Sequence, residues 1–300
     1  MEEVINKIID QNKSLFKEIS NIEKVNVGFT NTIYIINNKY IIKICNDINN
    51  EPKFKKEINF YNSNKGNNLI PKLYISNIDK KDIPYMYEII EKVEGVSLFN
   101  VWYKLTEEQR EDIIKQLCLA MKEFHKHTSN KYDWSQKTKE IFNKAYNKSK
   151  ELNLFNKEEI NIIDKAYLLF DKYLKSNEFV LVHNDLHFDN IIYNNGNIKL
   201  IDFERSLYAP KDFELDIIYR MIRKPYKFAS EETEKYTKTS DYANIMSYIE
   251  KYYPELIHID NLYKRLYIYD IVYYLKQYIE YTHIKELKDN ILYAANQVIK

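Results

Sequence analysis

Apolar residues in the first ninety positions come in short runs that stop at Gly, Asn or Pro. Ile22–Val27, Thr32–Ile36 and Tyr40–Cys45 read as three strands. They are separated by Gly-Phe-Thr-Asn and by Asn37-Asn38-Lys39, the residue types of tight turns in an antiparallel meander. Residues 2–16 precede them as an amphipathic helix. From Glu51 the period changes: Phe54, Glu57, Ile58 and Tyr61 recur at i, i+3, i+4 and i+7, and Pro52 suits a first helical turn. Glu57 is a carboxylate on that apolar stripe. Burying it unpaired is costly, so a cationic partner is expected. Strands around Lys72–Ser76 and Tyr85–Glu91 complete this β-rich part.

Glu-Lys-Val-Glu-Gly-Val-Ser-Leu, from Glu91, reads as the exit from the sheet and a hinge. It predicts two divisions, 1–92 and 93–300. Beyond it the pattern turns helical. Thr106 and Gln109 form a capping box ahead of a stripe through Ile113, Leu117, Met121 and Phe124. Residues 136–177 read as further helices. Short strands return at Phe179–Val182, Asn190–Tyr193 and Ile198–Ile201. After Asp212 the chain reads helical to its end, with a break at Tyr253-Pro254. The class is α+β: a small antiparallel β-rich lobe followed by a larger, mainly helical one.

The candidate chemistry lies between two of the late strands, in His-Asn-Asp-Leu-His-Phe-Asp-Asn, residues 183–190. A hairpin turning at Asn194-Asn195-Gly196 brings Asn190 toward Asp202, with Asp185 close by. Oxygen donors of this kind suit Mg²⁺. Zinc through His183 and His187 would need a helix where the flanks read as strand, and it lacks a third ligand. Upstream, Lys43 sits inside the apolar strand Ile-Ile-Lys-Ile-Cys, and Glu57 is its natural counter-charge. A strand lysine for nucleotide phosphates, an Asn and an Asp for metal, and an Asp to take or orient a hydroxyl proton together make the set that phosphoryl transfer needs.

Composition narrows the reading. The chain has 300 residues, 45% of them hydrophobic, and 45 basic residues against 44 acidic ones. That balance does not suggest a bulk nucleic-acid or anionic-membrane binder. Two cysteines, Cys45 and Cys118, are too few for a disulfide framework and suit buried thiols. There is no signal-peptide pattern and no apolar run long enough to span a bilayer, so a cytoplasmic protein is expected. The 28 tyrosines go with abundant Lys, Asn and Ile, as an A/T-rich coding sequence would give.

His-Asn-Asp-Leu-His-Phe-Asp-Asn followed by Ile-Asp-Phe-Glu resembles the motifs of the aminoglycoside phosphotransferase and choline kinase group, which has the protein-kinase-like fold. The resemblance runs from Gly28 to about Asp216. It implies Asp185 as the catalytic aspartate, Asn190 and Asp202 as metal ligands, and Lys43 with Glu57 as the phosphate-holding pair. It also implies ATP or GTP with Mg²⁺, and a nucleotide-covering turn through Gly28, Thr30 and Asn31. The base is expected at the Tyr87–Lys92 connector. Glu204 replaces the glycine of protein kinases. The chain then enters a helix almost at once, which leaves no room for an activation loop and argues against a protein substrate.

For the acceptor, a polycationic aminoglycoside needs carboxylates, and Asp212, Glu214, Asp216, Asp270 and Glu280 are candidates, with Glu214, Asp216 and Asp270 foremost. Asp216 at a helix start also suits a cap. Choline or ethanolamine would need an aromatic cage, for which the tyrosines around Asp270 offer faces. A non-catalytic nucleotide-binding protein is the contrasting class, and the complete motif set speaks against it. Oligomeric state is not legible.

Overall fold

Alternation along the strands decides how the N-terminal sheet is used. The computed structural model describes residues 1–25, 31–129 and 132–300. Helices, in chain order, are α1 (Glu2–Gln11), α2 (Glu51–Ser63), α3 (Glu107–Phe124), α4 (Trp134–Glu151), α5 (Lys157–Tyr167), α6 (Leu215–Arg223), α7 (Ile245–Tyr252), α8 (Leu262–Glu280) and α9 (Lys285–Ile299), with single-turn segments among them. Strands are β1 (Ile22–Val25), β2 (Thr32–Ile36), β3 (Tyr40–Cys45), β4 (Leu73–Asn77), β5 (Met86–Glu91), β6 (Val96–Ser97), β7 (Val180–Val182), β8 (Ile191–Asn194), β9 (Asn197–Leu200) and β10 (Leu207–Ala209). The architecture is α+β. Its residues group into two compact units, 1–123 with 185–207, and 124–184 with 208–300.

In the first unit, β1–β5 form one antiparallel sheet in the order β1-β2-β3-β5-β4. Side chains of successive residues point to opposite faces. Tyr34, Ile36, Tyr40, Ile42, Ile44, Tyr87 and Ile89 pack with Ile5, Ile8 and Ile9 of α1. Each such isoleucine contributes about 1.5–3 kcal/mol by leaving water. On the other face, Cys45 and Met86 pack against Phe54 and Ile58 of α2. Lys43 and Glu88 are register partners on that same second face. The sheet thus has one closed apolar face and one face that is half core, half charged.

The exit from the sheet is fixed by close backbone approach. Val96 and Ser97 pair with Tyr193 and Ile192, so β6 joins the β8–β9 hairpin. That hairpin turns on Asn195 and Gly196, both at positive φ (49° and 90°), as a two-residue primed turn demands. Gly95 has φ 131°, and a Cβ there would lie 2.4 Å from the Tyr193 carbonyl oxygen. Gly95→Ala is expected to cost about 3 kcal/mol of stability, from backbone strain plus the lost approach. A denaturant melt within about 0.5 kcal/mol of wild type would show that the two strands separate cheaply.

In the second unit, α8 and α9 pack on each other, α8 also on α4, and α9 also on α5. Asp133 caps α4, and Asn156 with Glu159 makes a capping box for α5. In the first unit, Thr106 and Gln109 form the expected box at α3. The expected helix after Asp212 departs from a continuous one between α6 and α7. There the chain makes three short 3₁₀ turns, Pro225–Lys227, Glu234–Tyr236 and Thr239–Tyr242. Pro225 removes a helical donor. Thr233 and Thr237 donate their hydroxyls to the carbonyls of Ser230 and Thr233, which competes with regular helix. The break at Tyr253-Pro254 is present. Cys45 and Cys118 are free and buried. Among the described residues no helix is long and apolar enough to cross a membrane.

Candidate active site

β3 delivers Lys43 to the charged half of the sheet, and α2 delivers Glu57. The Lys43 Nζ donates to Glu57 Oε2 at 2.5 Å, with the two side chains 13% and 1% exposed. Glu57 therefore has the cationic partner that its place on the apolar stripe called for. Burial works against the Lys43 charge, but Glu57, then Glu88 and Asp202, outweigh it and hold the ammonium firmly protonated. Burial likewise raises the Glu57 carboxyl above the ordinary range, against the pull of Lys43.

These two residues, with Asp202, Asn31 and Glu204, line a cavity of about 530 Å³. Its remaining walls are largely apolar: Ile33, Ile41, Tyr61, Ile90, Val93, Ile192 and Ile201. That size suits a small ligand such as a nucleotide. A larger cavity of about 760 Å³ in the same unit contains none of Lys43, Glu57, Asp185, Asn190 or Asp202. Of the expected covering turn, Asn31 lines the smaller cavity, while Gly28 and Thr30 lie outside the described residues.

Asp202 stands at φ 65°, a left-handed conformation that Asp tolerates better than most residues. The following Phe203 is fully buried and stacks on Phe60 of α2 at 4.1 Å, with Tyr61 edge-on at 5.3 Å. This aromatic anchor pins the Asp202 backbone to the helix that carries Glu57. At this open end of the hairpin, Ile201 N donates to Asn190 O at 3.0 Å. Asn190 and Asp202 thus flank one hydrogen-bonded ladder end, as the hairpin spacing implied.

The loop from Asp185 to Asn190 is held by its own backbone. His187 N donates to Asp185 O, Asn190 N to His187 O, and Asn190 Nδ2 to Asp185 O at 2.8 Å. Phe188 seats the loop against Trp102 and Phe99, at 4.6 and 5.6 Å between ring centroids. Ser97 Oγ donates to Asp189 Oδ1 at 2.7 Å. The Asp185 carboxylate stays 13% exposed, with Arg205 at 3.6 Å and His187 at 3.9 Å.

The donor set fits a divalent cation. With its amide nitrogen committed to the Asp185 carbonyl, the Asn190 side-chain oxygen is left as an acceptor. Asp202 accepts no hydrogen bond from the described residues. Side-chain oxygens of this hard kind, accepting no hydrogen bond from the described residues, would suit Mg²⁺.

In the second unit four of the candidate acidic residues, Asp212, Glu214, Asp216 and Asp270, are already engaged, while Glu280 is exposed. Glu214 is fully buried. Its carboxylate accepts the His183 N–H at 3.1 and 3.0 Å and the Asn184 N–H at 3.3 Å, beside His125 Nε2 at 3.4 Å. The structure gives it the work of anchoring the residues just before Asp185, and its carboxylate presents no surface to an acceptor. Asn184 is held at φ 63° there. Asp216 takes both Arg220 amino groups. Asp270, 1% exposed, pairs with Arg223 and lies 3.7 Å from Arg220. Burial pushes its carboxyl up to about 6 against those arginines. Arg220 lies over the Tyr273 ring at 4.0 Å and Arg223 over Tyr219 at 4.3 Å. Asp212 forms a bidentate pair with Arg265, both contacts at 2.7 Å.

Sequence reasoning missed Glu88 and the aromatic anchors Phe188 and Phe203. A carboxylate inside the apolar run Met-Tyr-Glu-Ile-Ile was the available signal for Glu88, the same signal that singled out Lys43.

Comparison with known proteins now decides the family. The profile of the "Phosphotransferase enzyme family" matches residues 21–240. The chain belongs to this phosphotransferase family. A curated relative, "Protein LicA homolog" of Mycoplasma capricolum subsp. capricolum, is 33% identical over 193 residues, 64% of this chain and 69% of the relative. The fold is that of ADP-bound aminoglycoside phosphotransferase APH(2'')-Ib, with TM-score 0.68, 16% identity and 99% of each chain covered. It is equally that of APH(2'')-IIa in complex with gentamicin, with TM-score 0.66, 16% identity, and 99% of this chain and 95% of the other covered. This phosphotransferase therefore has the two-lobed kinase-like α+β fold and is a kinase with an alcohol group as acceptor.

Proposed function

We propose that this phosphotransferase moves the γ-phosphate of ATP or GTP to a hydroxyl of a small cationic molecule, with Mg²⁺ required. The observation that carries the reading is the joining of Lys43, Glu57 and Asp202 around one cavity, with Asn190 and Asp185 tied to the same hairpin. In this reading residues 1–92 form the nucleotide-binding lobe, and residues 93–300 carry the catalytic loop and the acceptor site. The apolar walls Ile33, Ile41, Ile90 and Ile201 take the base near the Glu91–Val93 connector. Lys43, steadied by Glu57, holds nucleotide phosphates, and Asn31 adds a contact at the cavity mouth. Asn190 and Asp202 hold Mg²⁺, which supplies charge neutralisation for the transferring group. Asp185 accepts or orients the acceptor hydroxyl's proton. Most of the rate then comes from positioning.

An aminoglycoside-type acceptor is the first reading, in line with the complexes formed by proteins of this fold. Choline or ethanolamine is the second, and one observation favours it. Asp216 and Asp270 are matched by Arg220 and Arg223, with tyrosine faces beside them. Such a balanced cluster suits a monocation better than a polycation. The deciding experiment is Mg²⁺-dependent release of ADP or GDP against a panel of aminoglycosides, choline, ethanolamine and simple sugars, with chelated metal as the blank. Stimulation by one class assigns the acceptor. Nucleotide binding with no stimulation by any hydroxyl compound would sink the proposal of turnover and point to a binding protein.

A further inference from the structure

Glu88 has no part in the reading above, yet it is the most enclosed carboxyl beside Lys43. It stands on β5 in register with Lys43 on β3 and is fully buried. Its Oε1 lies 3.8 Å from the Lys43 Nζ, and neither of its oxygens has a hydrogen-bond partner among the described residues. From α2, Glu57 holds the same ammonium at 2.5 Å, and its second oxygen has no hydrogen-bond partner among the described residues either. The Tyr61 hydroxyl, one turn further along α2, is buried and likewise without one among the described residues. Asp202 adds its charge from beyond β9, and Ser76 is the register partner of Glu88 on β4. Glu204, the remaining carboxylate near Glu57, is taken by Lys53 at 3.6 Å.

One ammonium thus faces two enclosed carboxyls on separate elements, with a third carboxylate close by. Ionising both buried groups against a single cation is costly, so one keeps a proton, as in paired carboxyls generally. Glu57, in direct contact with Nζ, is the better compensated. Burial first, and repulsion from Glu57 second, raise Glu88 well above the ordinary carboxyl range.

We propose that Glu88 is a positioning residue acting through Lys43: by carrying or releasing one proton it sets how much positive charge Lys43 presents to the nucleotide phosphates. The inference rests on the reading of Lys43 as the phosphate-holding residue. Neutral Glu88 leaves the Lys43 field intact. As pH rises and Glu88 ionises, that field is cancelled and the phosphates are repelled. Nucleotide affinity therefore falls with rising pH, and phosphate binding draws a proton onto Glu88.

The test is equilibrium binding of a non-hydrolysable ATP analogue with Mg²⁺ from about pH 6 to about pH 9, for wild type, Glu88→Gln and Lys43→Met. Glutamine keeps the shape and stays neutral. Glu88→Gln is expected to match wild type at the acid end and to bind about tenfold more tightly at the alkaline end. Curves that stay parallel at every pH, or a loss at every pH, would reveal a merely structural residue and overturn the proposal. Lys43→Met reports separately: wild-type affinity there overturns the reading of Lys43 itself. Should Glu88→Gln not fold, calorimetry on the wild type in two buffers of different ionisation heat decides. Proton uptake on binding is expected above about pH 7.5, past the phosphate's own titration near 6; no uptake overturns the proposal.

Discussion

Replacing Asp185 with asparagine is expected to lower kcat by about a thousandfold or more, while nucleotide affinity changes by less than about threefold. Asparagine has nearly the same shape but cannot take a proton. The loop should survive the change, because its internal hydrogen bonds from His187 and Asn190 use the Asp185 carbonyl, not its carboxylate. Phe188 stays seated on Trp102, and Glu214 still anchors His183 and Asn184. The Arg205 guanidinium at 3.6 Å and the His187 imidazole at 3.9 Å lose only a weak partner. Steady-state turnover with the acceptor found by the panel, alongside nucleotide binding, separates the two effects. Near-normal turnover would remove Asp185 from the chemistry.

Arg265→Met is expected to cost about 3–5 kcal/mol of stability. Arg265 and Asp212 are 4% and 2% exposed and share two contacts at 2.7 Å. The guanidinium also donates to the Tyr173 carbonyl at 2.7 Å and the Lys175 carbonyl at 3.2 Å. Asp212 further accepts from the Tyr269 hydroxyl, which in turn accepts from Trp134 Nε1. Methionine fills much of the volume but strands the buried Asp212 carboxylate and leaves the Tyr173 and Lys175 carbonyls without this donor. A control is Lys148→Met, because the Lys148–Glu151 pair is 55% and 66% exposed and should be worth at most about 0.5 kcal/mol. Chemical denaturation of both variants checks the contrast. Equal losses would mean that burial does not govern these pairs.

Much of the fold was legible along the chain because local rules and the tertiary outcome agree there. β2, β3 and α2 fall where alternation and helical period place them, and Pro52 and the Thr106 box mark helix starts. The Lys43–Glu57 pair was legible for a physical reason. A charge in an apolar pattern demands a partner, and only one opposite charge lay on the apolar face of the next element. The segment 225–242 was not, because threonine hydroxyls there compete with the helical ladder.

The acidic residues after Asp202 show where linear reasoning stops. Glu214, Asp216 and Asp270 carry the same charge in sequence and look alike as acceptor ligands. Folding gives one of them a pair of backbone N–H groups and the other two arginine partners. Glu88 is the converse, a carboxylate whose meaning appears only when β3 and β5 come into register. The sequence by itself determined which charged residues fall inside apolar strand and helix patterns, Lys43 and Glu57 among them, since that depends on residue type and on strand and helix period. The tertiary structure alone decided which carboxyls remain uncompensated, since desolvation and pairing depend on neighbours from distant segments.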